Sequence, residues 1–124
     1  MPEWGVLNSR LTVFVTPDTI VPPEVWQGVV GEPPETSVIQ RAIATRIESG
    51  PFAEGTLALQ VQPTRIDWMH EPVGMSGGGQ PAVLGMFPAA AEPLVQLGHR
   101  WTQTASFPTV QRVALGFVLN IPNT

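Results

Sequence analysis

The chain predicts an α+β fold, a single domain with a mainly antiparallel sheet and two helices packed on one face. Three observations carry this expectation. Runs with apolar residues at every second position mark half-buried strands near residues 6–15, 56–70 and 112–121. Two stretches with helical spacing, Glu24 to Val30 and Ala89 to Trp101, lie between them. The 14 prolines and 12 glycines in 124 residues favour turns and short elements over long helices. A chain of this length forms one domain and buries roughly two-thirds of the surface its unfolded form exposes.

In the first strand Leu7, Leu11, Val13 and Val15 share one parity, and Asn8, Arg10 and Thr12 occupy the other. Thr16-Pro17-Asp18 ends it, because proline removes a ladder donor and pre-sets a turn. After Pro22 and Pro23, the apolar pairs four apart from Val25 to Val30, with Glu24 in front and Gly31 behind, describe a two-turn helix. Residues 36–49 admit two readings, because Ile39, Ile43 and Ile47 repeat every four residues, which also keeps them on one parity of a strand. Thr36 or Ser37 as a cap and Gly50 as a stop favour helix, whereas the β-branched content favours strand, and strand is the preferred reading.

Gln62-Pro63-Thr64-Arg65 separates two alternating runs and predicts a β-hairpin. Pairing Gln62 with Arg65 sets Val61 opposite Ile66 and Leu59 opposite Trp68 on the core face, with Gln60 opposite Asp67 on the polar face. Pro63 suits turn types I and II, whereas two-residue hairpins prefer the primed types, so a wider loop or a bulge is the alternative. Residues 73–81, rich in glycine, predict a flexible connection. The helix that follows has Leu94, Leu97 and Trp101 on one stripe, with Pro88 or Pro93 in its first turn. In the last strand Val113, Leu115, Phe117, Leu119 and Ile121 alternate with residues that are also fairly apolar, which predicts a strand central in its sheet or covered on both sides.

Composition narrows the function classes. A hydrophobic fraction of 43% with 13% charged residues argues against wholesale disorder. Net charge is −4, and the six basic residues are single, scattered arginines, so the concentrated positive footprint of a nucleic-acid binder is absent. Without cysteine there is no disulfide framework, thiolate nucleophile or cysteine-based zinc site. Met1-Pro2-Glu3-Trp4 lacks the pattern of a signal peptide, and no apolar run approaches the roughly 20 residues of a membrane span, so the expected location is cytoplasmic with no membrane partner.

Asp67, His70 and Glu71 are the one grouping suited to general acid/base chemistry. On an extended strand Asp67 and His70 point to opposite faces, so they converge only if the chain bends before Pro72. The two histidines have neither HxH nor HExxH spacing, so no metal site is expected, and no cofactor is. The glycine run lacks a Gly-Lys-Ser/Thr sequence, and Ser76 does not sit in a GxSxG elbow. Of the four tryptophans, Trp26, Trp68 and Trp101 lie on the apolar sides of their elements and are assigned to the core. Trp4 follows no such pattern and, with Phe117 and Leu119 of the apolar final strand, is the interface candidate.

The closing segment Arg112-Val113-Ala114-Leu115-Gly116-Phe117-Val118-Leu119-Asn120-Ile121 resembles the strand Arg-x-x-Leu-Arg-Tyr-Ile-Asn-Arg-Ile of a group of uncharacterised bacterial proteins, and the element order is similar. About a dozen residues carry the likeness, and Gly116 and Asn120 stand where that pattern has arginines. The resemblance implies a bacterial protein and no particular activity. It also implies that a helical region follows this strand, which would make the chain the N-terminal part of a larger protein or a separately encoded subunit. The expected function is a non-enzymatic protein-binding or assembly domain, with a protein partner or a second copy. The alternative is a small enzyme or ligand-binding protein with a site near Asp67, His70 and Glu71.

Overall fold

Val61 faces Ile66, Leu59 faces Trp68 and Gln60 faces Asp67 across a two-residue turn, which is the register predicted from the Gln62–Arg65 pairing. Gln62 N–H donates to the Arg65 carbonyl at 2.8 Å. Neither Pro63 nor Thr64 is among the residues with positive φ, so the turn is neither type II nor a primed type. The fold is seen in a computed structural model that describes residues 5–19, 21–53, 55–73, 83–104 and 107–120. Trp4 and residues 74–81 of the predicted glycine-rich connection lie outside the described residues.

The hairpin is the centre of a six-stranded sheet. In chain order the elements are β1 (Gly5–Phe14), α1 (Val25–Val30), β2 (Thr36–Gln40), β3 (Thr45–Phe52), β4 (Gly55–Val61), β5 (Arg65–Pro72), α2 (Glu92–Thr102) and β6 (Arg112–Asn120), with 3-10 turns at Arg41–Ile43 and Ala89–Ala91. The strands lie in the order β2-β3-β4-β5-β1-β6, and every neighbouring pair is antiparallel. This is the predicted α+β class. Strand alternation sends Leu11 and Val13 of β1, Ile66 and Trp68 of β5, and Leu57 and Leu59 of β4 to one face, where they are buried in one cluster with residues of both helices.

The helices take their places by what they bury. Val25, Trp26 and Val29 form the buried side of α1, and Gly31 ends it in the left-handed conformation at φ 98°, which a glycine adopts without steric cost. Leu94, Leu97 and Trp101 are the fully buried stripe of α2, and Pro93 occupies its first turn, where a missing N–H costs no hydrogen bond. Each buried aliphatic side chain contributes roughly 1.5–3 kcal/mol, more than the propensity difference of about 1 kcal/mol set by Gly98 in the same helix. Packing therefore decides this helix. The three buried tryptophans form a chain, with ring centroids 5.7 Å apart for Trp26–Trp68 and 5.8 Å for Trp68–Trp101.

Two sequence expectations change. Residues 36–49 are strand, the preferred reading, but they form two strands joined by a 3-10 turn and Ala44 at φ 49°. Ile39 and Ile43 are exposed, so the four-residue repeat marks no buried face. β6 is neither central nor covered on both sides: it is one of the two edge strands of the sheet, with Val113, Leu115 and Val118 exposed at 54%, 45% and 47%. An apolar run on both parities has the same pattern whether helices cover it or it lies bare at an edge, and here the buried side of α2 packs with Leu11, Val13 and Trp68 further into the sheet.

Candidate functional site

Asp67, His70 and Glu71 do not converge. Asp67 faces Gln60, His70 faces Leu57 and Glu71 faces Thr56, so the imidazole projects to the helix-covered face and both carboxylates to the other. Asp67 is buried and accepts a hydrogen bond at each carboxylate oxygen: the Thr12 hydroxyl donates to Oδ1 and the Arg65 guanidinium Nε donates to Oδ2 at 2.7 Å. That carboxylate ties β1 to β5 on the face away from the helices. Glu71 is exposed. Among the described residues no group of three His, Asp or Glu side chains is placed to hold a metal ion. Among the same residues no helix is long and apolar enough to cross a membrane.

His70 is 1% exposed and sits where the sheet opens. β5 pairs with β1 only from Ser9 onward; beside the start of β1 its place is taken by residues 84–86, where Leu84 N–H donates to the Val6 carbonyl at 2.8 Å and Val6 N–H donates to that of Gly85 at 2.9 Å. The exchange leaves a cleft of about 480 Å³ between the β3–β4 turn and the start of α2, lined by Ala53, Leu84, Met86, Ala89 and Pro93, with His70 at its floor. The imidazole Nε2 lies 3.0 Å from the Phe52 carbonyl, which only accepts, so Nε2 carries the proton and Nδ1 is a bare acceptor. Among the described residues Nδ1 has no hydrogen-bond partner, and neither has the buried Oγ of Ser9, which lies on the residue paired with His70 across the strands.

Burial holds the His70 pKa below its ordinary value of 6.5, against a smaller opposing effect from the Phe52 and Ala53 backbone. The folded state therefore disfavours imidazolium. Its contribution to stability is complete above pH 6.5 and is lost as pH falls from there through the depressed folded value, because the unfolded chain binds the proton first. The thermal midpoint is expected to drop between pH 7 and pH 5.5 in the parent chain and to stay nearly level in His70→Gln. Equal slopes in the two proteins would remove His70 as the cause.

Of the three interface candidates, Phe117 and Leu119 stand on the outer strand β6. Phe117 is half-buried with its ring edge-on to Phe87, centroids 5.6 Å apart, and Leu119 is half-buried opposite Val6. Beside β6, a second groove of about 200 Å³ runs along α2 past Gly98, Thr102, Phe107 and Val113. Sequence reasoning did not single out Ser9, Gly55 or residues 84–86. Ser9 carried a readable signal, since it is the polar residue on the inward parity of the first strand. The other two depend on how distant segments meet. No protein-family model, no curated protein and no solved structure matches this chain.

Proposed function

We propose that the chain is an assembly domain that extends its sheet through β6, and that the partner strand is the β6 of a second copy. The observation that supports this reading is an outermost strand with exposed apolar side chains on both faces, Val113 and Leu115 on one and Val118 on the other. An outer strand presents unpaired N–H and C=O groups, and proteins that stay single blunt such edges with charges, prolines or short length. β6 has nine residues and one charge, Arg112 at its start, whose guanidinium lies 4.3 Å from the Phe14 ring centroid.

The side-chain order favours self-pairing. A two-fold axis through Gly116 sets Arg112 opposite Asn120, Val113 opposite Leu119, Ala114 opposite Val118 and Leu115 opposite Phe117. Apolar residues then meet apolar residues, and the two arginines never face each other. Phe117 and Leu119 belong to the resulting seam, with the helices of both copies on one side of a continuous sheet.

Light scattering across a concentration series is expected to give twice the chain mass, and Leu115→Lys to weaken the dimer about 100-fold by setting a charge in an apolar seam. The absence of native cysteine allows a sharper measurement. Facing residues on the axis have Cα atoms about 4.5–5.5 Å apart, within disulfide range. Gly116→Cys is expected to cross-link on mild oxidation, and Ala114→Cys, whose thiols would stand roughly 13 Å apart, is not. A cross-link from Ala114→Cys alone would overturn the register, and a monomer at every concentration would overturn the assembly itself.

A further inference from the structure

The sheet has a second open edge. β2 is its other outer strand, and among the described residues nothing pairs with its outward side. All five of its residues are exposed, Val38 at 51% and Ile39 at 64%, and none is charged or a proline. Charge stands only at its two ends. Glu35 precedes it, with an N–H that still donates to the Ser49 carbonyl at 2.8 Å, so the ladder with β3 continues through this residue. Arg41 follows it as the first residue of the 3-10 turn. Both side chains are exposed, and among the described residues neither forms a salt bridge. Opposite charges at the two ends of one strand attract when two copies pair antiparallel and repel when they pair parallel. A two-fold axis through Val38 sets Glu35 opposite Arg41 at both ends of the seam, Thr36 opposite Gln40, Ser37 opposite Ile39 and Val38 opposite its own copy. Moving the axis by one residue sets Glu35 opposite Ile39 or Ile43 instead, and both ion pairs are lost.

We infer that β2 is a second self-pairing edge, joined antiparallel to the β2 of another copy about Val38. The pairing stands independently of β6. Only its consequence rests on that reading, because two different two-fold seams on opposite edges of one sheet make the assembly open-ended rather than a closed dimer. β2 has five residues against nine in β6, so it fills at higher concentration. The test uses Leu115→Lys chains, in which the β6 seam is blocked. Val38→Cys in that background is expected to cross-link on mild oxidation, since residues facing each other on the axis have Cα atoms about 4.5–5.5 Å apart. Gln40→Cys, whose thiols would stand roughly 13 Å apart, is not. In sedimentation equilibrium at low salt, Glu35→Arg and Arg41→Glu are each expected to weaken the Leu115→Lys dimer about 10-fold, and the two together to restore it. A Leu115→Lys chain that is monomeric at every concentration would overturn the inference. So would equal cross-linking at positions 38 and 40, or a double charge reversal that associates no better than either single one.

Discussion

Trp68→Ala is expected to lower the free energy of unfolding by about 3–5 kcal/mol, read from urea denaturation followed by circular dichroism. Trp68 is fully buried at the middle of β5, between Trp26 and Trp101, and joins the hairpin to both helices. Its removal leaves a cavity bounded by parts of the chain that cannot all close on it. A small domain has roughly 5–15 kcal/mol in total, so the variant should be partly unfolded near physiological temperature. Val95→Ala, on the exposed side of α2, is expected to stay within about 0.5 kcal/mol of the parent chain. A loss below about 1 kcal/mol for Trp68→Ala would contradict its place at the centre of the core.

Gly55→Ala is expected to cost about 3 kcal/mol, the upper end of what overpacking does. A Cβ at this position would stand 2.4 Å from the Glu71 carbonyl oxygen, 2.8 Å from Leu84 Cδ2 and 2.9 Å from His70 Nε2. The leucine has room to turn, but the carbonyl belongs to the strand that pairs with β4, so relief requires the ends of β4 and β5 to part. That movement disturbs the Phe52–His70 hydrogen bond and the floor of the cleft together. Gly28→Ala is the contrast: nothing lies within 4 Å of its Cβ, it is exposed on α1, and the change is expected to stabilise by about 0.5–1 kcal/mol. Equal effects at the two glycines would refute the close approach at Gly55.

Elements whose cause is local can be read from the sequence. Proline at the second turn position and alternation on either side define the β4–β5 hairpin to the residue, because a one-residue slip would turn Leu59 and Trp68 out of the core. Gly31 and Pro93 mark helix ends through backbone geometry that needs no tertiary partner. The same alternation already set Asp67 and His70 on opposite faces. Tertiary structure alone decided which apolar surfaces meet. The run from Val113 to Leu119 is equally suited to a covered centre and a bare edge, and only the position of α2 leaves it exposed. The His70 cleft joins Ala53, Gly55, His70 and Pro93, four positions spread over 41 residues of chain. Patterns of two and 3.6 residues report each segment's own faces, and a site assembled between segments has no such period to read.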